Sequence, residues 1–285
     1  MEFIEFLKVV VLGIVEGFTE WLPISSTGHM ILLDEFVKLN VSPEFSEMFL
    51  VVIQLGAILA VVVLFFPQIW PFGRKNNPYP VAEKGLLSYC KKDIWEMWFK
   101  IIAACLPAAI VGIFLDDFFE SLFYNSICVA IALIVFGIGF ILIENRNKGA
   151  VSGINSLSEI TYKTALIIGL FQLIAAIFPG TSRSGATILG ALLIGVSRTV
   201  AAEFTFFLAI PVMLGASLLK ILKFGFAFSG NELAILLIGM VTAFVVSVVV
   251  IKFLMGYIKK HDFKVFGWYR IVLGILVLLY FGLVK

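Results

Sequence analysis

Charged residues are scarce in this chain. Only 14% of its 285 residues are Asp, Glu, Lys or Arg, whereas a soluble globular domain averages about 25%. In contrast, 61% are hydrophobic, and long apolar runs recur from one end to the other. These numbers exclude an ordinary soluble domain, and the runs lack the polar–apolar alternation of barrel strands. We therefore expect an all-α polytopic membrane protein.

Other protein classes lack their signatures as well. The three cysteines, Cys90, Cys105 and Cys128, have neither paired nor metal-ligand spacing, so we expect isolated thiols. No basic cluster offers a site for nucleic acid, and the net charge is only +2. The first residues lack a basic segment and a small-residue cleavage site, so we expect mature structure there rather than a signal peptide.

Six apolar segments have about the ~20 residues that cross a bilayer, although several are a little short. Two further segments, 3–40 and 163–197, are interrupted by polar residues around Pro23 and Pro179. Each half of these segments is too short to span a membrane, so we predict two re-entrant helical hairpins. The six predicted spans are 47–66, 99–115, 127–143, 204–222, 233–254 and 268–284.

Positive charge is unevenly distributed between the connections. Loops 67–98, 144–163 and 255–267 are basic, whereas 116–126 contains acidic residues and no Lys or Arg. The positive-inside rule puts the basic loops in the cytoplasm and 116–126 outside. Both termini then lie outside, and the first hairpin enters from the extracytoplasmic face. The charges used are Arg74, Lys75, Lys84, Lys91, Lys92, Arg146, Lys148, Lys163, Lys259, Lys260 and Lys264, against Asp116, Asp117 and Glu120.

The two interrupted segments are similar to each other. An offset of 156 residues puts Gly169 on Gly13 and Ser182 on Ser26. Each copy then contains one hairpin and three spans, and because three is odd, the second copy is inverted in the membrane. Inverted repeats of this kind place a site near the repeat interface in many transporters. The predicted copies are residues 1–150 and 151–285.

The first interruption, Glu16–His29, reads EGFTEWLPISSTGH. Ionisable residues at membrane depth are costly and indicate function. Glu16 and Glu20 lie one helical turn apart on the same face. Neighbouring carboxylates repel each other unless a cation lies between them. They are therefore candidate ligands for Mg²⁺ or Ca²⁺, or carboxylates that orient a histidine.

Hydroxyl side chains follow the proline of this interruption. Pro23 is expected to end the first half-helix, and Ser25, Ser26 and Thr27 are candidate N-cap residues of the second. The free N–H groups of a helix that begins there form an anion site. His29 lies one turn after Ser26, so these two residues are a candidate nucleophile and base.

The second interruption, Pro179–Gly185, reads PGTSRSG and is typical of a phosphate site. Arg183 offers a fork of donors that fits phosphate oxygens, and glycine lets a backbone approach its ligand closely. The residues alone indicate a membrane enzyme or transporter with an anion site. Further candidate binding residues are Gly180, Thr181, Ser182 and Ser184, together with Gln54 inside a predicted span.

Both interruptions resemble the signature motifs of bacterial undecaprenyl-diphosphatases of the bacitracin-resistance type. The resemblance covers essentially the whole chain and includes segments 52–57 and 203–211. It implies hydrolysis of undecaprenyl diphosphate to the monophosphate carrier lipid, recycling of that lipid for cell-wall (peptidoglycan) synthesis, bacitracin resistance and a divalent cation. By resemblance, the acidic motif is Glu16 and Glu20, the hydroxyl–histidine motif is Ser26, Thr27 and His29, and the phosphate-binding motif is Ser182 and Arg183.

The expected reaction begins with attack of Ser26 on the terminal phosphate, with His29 as its base. Arg183 holds the phosphate, and Glu20 orients His29. One alternative makes His29 the nucleophile, giving a phosphohistidine.

A second alternative is a lipid-phosphate flippase of the same architecture. A purely structural scaffold leaves the buried charges without a role. The expected partners are the lipid diphosphate and the lipids of the bacterial plasma membrane, with the site facing outside. The oligomeric state stays open, with a homodimer as one option.

Overall fold

The computed structural model describes residues 2–34, 36–73, 79–82 and 85–283. Within these ranges the chain is helical, with only isolated β-bridges. Arg74, Lys75 and Lys84 lie outside the described residues, as do the side chains of Asp116, Asp117 and Glu120. The α-helices are α1 (Phe3–Thr19), α2 (Ser26–Asp34), α3 (Pro43–Val52), α4 (Gln54–Leu64), α5 (Phe66–Ile69), α6 (Lys92–Phe114), α7 (Asp116–Phe123), α8 (Ser126–Arg146), α9 (Tyr162–Ile177), α10 (Arg183–Leu193), α11 (Arg198–Phe224), α12 (Gly230–Ile258) and α13 (Lys264–Leu283).

All six predicted spans are confirmed as helical segments long and apolar enough to cross a membrane. Most extend beyond the predicted bounds; α11, for example, begins at Arg198, six residues before the predicted start. Long basic side chains can continue a helix while their charges reach the membrane surface. The first span, Pro43–Leu64, is divided into α3 and α4 by a break at Ile53. The others are α6, α8, α11, α12 and α13.

Each interrupted segment forms two helices joined by a short turn. The first turn follows Thr19, where α1 ends, and the second follows Ile177, where α9 ends. The first helix therefore stops before Pro23 rather than at it. The helix–turn–helix course agrees with the predicted hairpins, whereas their re-entry into a bilayer stays a prediction.

Helices of the two halves pack reciprocally. α1 lies along α12, α9 lies along α6, and α8 packs against α13. Glycines permit the first two contacts: a Cβ on Gly13 would lie 2.9 Å from the carbonyl oxygen of Gly239, and one on Gly169 would lie 2.3 Å from that of Ala104. Small residues at such interfaces let helix backbones approach closely in membranes. The exchange agrees with two copies related by a two-fold axis, although the repeat and its boundaries stay a prediction.

The main apolar core lies around the first turn. Trp21 is fully buried, and its ring meets Phe206 edge-to-face with centroids 5.2 Å apart. Residues of α10 and α11, including Ile188 and Phe207, belong to the same cluster. The turn is therefore held by packing as well as by polar contacts.

Gly169→Ala should destabilise the fold, because the added methyl group meets the backbone of α6. Overpacking of this kind costs about 1–3 kcal/mol, so the melting temperature in detergent should fall. The matched control is Gly256→Ala, where a Cβ meets nothing within 4 Å; helix propensity there favours alanine by up to about 1 kcal/mol. Equal melting temperatures for the two variants would contradict the close packing.

Candidate active site

The first turn is stabilised by Ser25. This residue has φ +75°, a left-handed conformation that non-glycine residues rarely adopt,. Its Oγ accepts a hydrogen bond from the backbone N–H of Gly28 at 3.3 Å, as the N-cap of α2. Strain of about 1–3 kcal/mol per such residue persists where the surrounding structure enforces it, often at functional sites. Ser25 thus shapes the turn rather than offering a free hydroxyl.

The second turn has the same construction around Ser182. Its φ is +68°, and its Oγ accepts the N–H of Gly185 at 3.2 Å as the N-cap of α10. The constant offset of 156 aligned Ser182 with Ser26. By backbone conformation, however, Ser182 corresponds to Ser25. The second segment has one extra residue before its cap, so Arg183 takes the position that Ser26 has in the first hairpin.

Glu20 connects the two hairpins. Arg183 Nη2 donates to Glu20 Oε1 at 2.6 Å, and Ser26 Oγ donates to Glu20 Oε2 at 3.2 Å. The hydroxyl of Ser184 also donates to the backbone oxygen of Glu20 at 3.0 Å. A nucleophile candidate, a carboxylate and a phosphate-binding candidate therefore form one hydrogen-bonded chain.

Arg183 is held on several sides. Its Nη1 donates to the carbonyl oxygen of Thr205 at 3.1 Å, and its Cζ lies 5.9 Å from the ring centroid of Trp21. Its Nη2 also lies 3.1 Å from the sulfur of Met213. Since its planar head is fixed in this way, it is preorganised for an anion.

Ser26 and His29, the candidate nucleophile and base, have other hydrogen-bond partners. The Nδ1 of His29 lies 2.7 Å from the carbonyl oxygen of Ser25, which can only accept, so this nitrogen carries the proton,. In the neutral ring, Nε2 then accepts the hydroxyl of Tyr269 at 2.7 Å. Glu20 contacts Ser26 and Arg183 rather than His29, so these hydrogen bonds differ from the ones that the predicted roles require, and the roles themselves stay predictions.

Four buried side chains have polar atoms without a hydrogen-bond partner. Within the described chain, all four belong to the interrupted segments: Glu16 through Oε1, Trp21 through Nε1, Gln172 through both amide atoms and Thr181 through Oγ1. Buried polar groups are otherwise almost always paired. Their concentration beside Glu20 and Arg183 indicates a site built for a polar ligand.

The carboxylates suit a divalent cation in part. Across the residues the structure describes, no group of three or more His, Cys, Asp and Glu side chains forms a ready-made metal centre. Glu16 lies close enough to Glu20 for the side chains to interact, and its Oε1 is unpartnered. Magnesium typically takes one or two carboxylates and completes its shell with water and substrate phosphates. Glu16 and Glu20 therefore fit such an ion when a phosphate is bound.

Two adjoining cavities reach the site. The larger, of about 550 Å³, is lined by Arg183 and Gln172 at one part and by Lys220 and Lys223 at another. The smaller, of about 400 Å³, is lined by Thr27 and again by Lys220. Small or apolar residues form most of the wall of the larger cavity, among them Ala108, Gly112, Ala175, Pro211 and Gly215.

Three candidate binding residues have surroundings that add no polar contact to the site. Gly180, with φ +88°, packs against α8, where a Cβ would lie 2.6 Å from the carbonyl oxygen of Val129. Thr181 is fully buried. Gln54 begins α4, is half-buried and makes no hydrogen bond to the other candidates.

Sequence reasoning missed two residues of α13, Tyr269 and Arg270. Tyr269 bonds to His29, and Arg270 contacts both turns. The available signal was a charged residue in an apolar segment. Arg270 lay near the start of the predicted span 268–284, where a charge reaches the surface easily, but the helix actually begins at Lys264.

Comparison with known proteins gives a consistent result. The model of the family described as bacitracin resistance protein BacA matches residues 9–276, which include both turns. The chain is 66% identical over 282 residues to the undecaprenyl-diphosphatase of Desulfitobacterium hafniense, covering 99% of this chain and 98% of that protein. It is 64% identical over 284 residues to undecaprenyl-diphosphatase 1 of Clostridium acetobutylicum, covering both chains fully. The undecaprenyl-diphosphatase of Enterococcus faecalis is 63% identical over 279 residues, with 98% of each chain covered.

Arg183→Met should strongly destabilise the protein, because it leaves Glu20 and Glu16 together without a cation. Removing one partner of a buried ion pair costs about 3–5 kcal/mol. The matched control is Lys220→Met, which removes the more exposed pair with Glu47 (3.8 Å) and should cost about 0–1 kcal/mol. Melting temperatures in detergent measure both, and equal losses would refute the importance of the buried pair.

Proposed function

Because the chain belongs to the bacitracin resistance protein BacA family, we infer that it is an undecaprenyl-diphosphatase. It is a multi-pass membrane hydrolase that converts undecaprenyl diphosphate to undecaprenyl phosphate and inorganic phosphate. This reaction returns the carrier lipid to cell-wall synthesis and underlies resistance to bacitracin. The structural observation that carries the assignment is the series of hydrogen bonds that joins Ser26 to Glu20 and Glu20 to Arg183. The comparisons give no support to the flippase alternative.

We propose that the terminal phosphate binds where α2 and α10 begin. Helix N-termini present free N–H groups and a positive dipole end to an anion. Arg183 adds a guanidinium that stabilises the negative charge on the transferred group. Gln172, whose two amide atoms are unpartnered, lines the same cavity as Arg183 and supplies further polar contacts.

Ser26 is the proposed nucleophile, and Glu20 rather than His29 is its base. The Ser26 hydroxyl already donates to Glu20 Oε2. As the Ser26 oxygen–phosphorus bond forms, the hydroxyl proton passes to Glu20, and the bridging phosphorus–oxygen bond breaks to release the lipid monophosphate. Glu20 passes this proton to the departing lipid monophosphate and is a free carboxylate again. Water then attacks the phosphoserine and gives its proton to Glu20, which returns it to the Ser26 oxygen as inorganic phosphate leaves. Phosphoryl transfer depends mainly on such positioning and charge stabilisation.

A divalent cation is proposed on Glu16 and Glu20. When bound, Mg²⁺ or Ca²⁺ would neutralise charge on the diphosphate oxygens. Glu16 has the unpartnered oxygen that such a role needs, and Glu20 keeps its contact with Ser26.

The larger cavity is proposed to receive the part of the lipid next to the diphosphate. Its size lies within the range of about 300–1,000 Å³ found for ligand pockets. Apolar walls suit isoprenoid units, while Arg183 lies at the cavity. The remainder of the long isoprenoid chain then stays among the apolar lipid tails of the bilayer and needs no further binding surface on the protein.

The site is proposed to open on the extracytoplasmic face, with both termini on that side. In the predicted topology α11 runs outward, so Lys220 and Lys223 mark the outer end of the larger cavity. Glu47 and Tyr124, which line the smaller cavity, lie at outer ends in the same topology. A homodimer stays a proposal for the oligomeric state.

Ser26→Ala should lower kcat for phosphate release from undecaprenyl diphosphate by about 10³-fold or more, as expected for loss of a nucleophile. The assay uses purified protein in detergent, with Ser217→Ala as a control that also removes a buried hydroxyl. A radiolabelled substrate should leave an acid-stable phosphoserine. An acid-labile phosphohistidine, or substantial activity in Ser26→Ala with none in His29→Ala, would make His29 the nucleophile. Failure of the wild-type protein to release phosphate would refute the proposed function.

Cysteine labelling tests the orientation. In a chain without Cys90, Cys105 and Cys128, Phe226→Cys and Val151→Cys introduce thiols at exposed loop positions, 73% and 94% accessible. An impermeant maleimide added to intact cells should label position 226, whereas position 151 should react only after permeabilisation. The reverse pattern would put the site on the cytoplasmic face.

A further inference from the structure

Arg270 is a buried arginine of α13 with no carboxylate partner among the residues that the structure describes. It is fully buried, and every hydrogen bond described for it ends on a backbone carbonyl oxygen. A buried charge is expensive unless it is paired or well hydrogen-bonded. Retaining an arginine here therefore needs a reason beyond filling space.

The carbonyl oxygens belong to three different segments. Nη1 donates to Pro23 in the first turn at 3.3 Å, and Nη2 donates to Gly180 and Thr181 in the second turn at 3.1 and 2.7 Å. Nε lies 3.4 Å from the carbonyl oxygen of Leu133 in α8. One planar guanidinium thus fixes both turns against each other and against a spanning helix.

The proposed catalytic chain crosses between the same two turns. Ser26 and Glu20 flank the first turn, whereas Arg183 follows the second. A relative shift of the turns changes the 2.6 Å contact between Arg183 and Glu20 directly. A misplacement of about 1 Å costs on the order of 10²-fold in rate.

We infer that Arg270 is a positioning residue of this phosphatase, holding the two turns in the one register that lets Arg183 and Ser26 reach Glu20 together. The inference rests on the proposed function but concerns a residue that does not touch the reacting phosphate. It explains why an arginine is used: a lysine has one nitrogen and cannot reach carbonyl oxygens on both sides.

Two variants test the inference. Arg270→Lys keeps the charge and loses the planar fork. Gly185→Ala keeps Arg270 but would place a Cβ 2.8 Å from its Nη1, so the guanidinium has to move. Both should lower kcat by about 10²-fold or more, with KM changed far less. The second variant keeps the test valid if the first fails to fold.

Matched controls separate positioning from general stability. Arg198→Lys removes the fork from another arginine, which pairs with the buried Glu144 and contacts no residue of the site. Gly256→Ala adds a methyl group in open space. Both controls should keep kcat within threefold of wild type at temperatures where all variants are folded.

Trp21 provides a readout independent of activity. With its four companions (Trp70, Trp95, Trp98 and Trp268) replaced by Phe, its fluorescence reports the nearby guanidinium of Arg183. Emission should change in Arg270→Lys and Gly185→Ala but not in Arg198→Lys. Wild-type kcat and unchanged Trp21 emission in the folded Arg270→Lys and Gly185→Ala variants would overturn the inference. Loss of phosphate release by the wild-type protein itself would count against the proposed function, while the emission result would still decide the role of Arg270.

Discussion

The ion pair between Glu20 and Arg183 is the contact on which the candidate site depends. The two residues are 163 positions apart in the sequence, and their side chains are only 9% and 14% exposed. In such surroundings either charge alone is unfavourable, because it has lost its hydration and has no opposite charge to compensate for that loss. Pairing therefore ties the two hairpins together and places the Ser26 hydroxyl, which shares Glu20, beside the phosphate-binding arginine.

The rest of the fold makes this meeting reproducible. Glycines on α1 and α9 bring those helices against the backbones of α12 and α6, so the hairpins are clamped from both sides. Ser25 and Ser182 keep the turns in a left-handed conformation and begin the helices that follow. The buried polar atoms without a hydrogen-bond partner lie in the same two hairpins as this ion pair. A bound diphosphate can supply the partners that some of them lack. Stability and ligand binding thus act through neighbouring groups.

Prediction from the sequence succeeded where the signal was local. Long apolar runs predicted the six spans, and polar interruptions predicted the helix breaks, because hydrophobicity and helix-breaking are properties of neighbouring residues. Helix ends were placed too short where basic residues such as Arg198 continue the helix. The sequence suggested His29 as the partner of Ser26 because it is one helical turn away. In the structure the two nitrogens of His29 contact Ser25 and Tyr269, and Ser26 bonds to Glu20 instead. Arg270 was missed because it donates its hydrogen bonds to backbone carbonyl oxygens. Every residue has such an oxygen, so no sequence pattern indicates which ones an arginine will contact.

The sequence by itself determined that this is a helical membrane protein with two polar breaks, and its motifs identified the family later supported by full-length similarity. It also supplied nearly every side chain of the candidate site. Only the tertiary structure decided which of those side chains meet: Glu20 with Arg183 and Ser26, His29 with Tyr269, and Arg270 with both turns. The physical reason is distance along the chain. Periodicity and composition indicate whether a segment prefers water or lipid. A hydrogen bond of 2.6–2.7 Å between remote segments depends instead on how the intervening helices pack,.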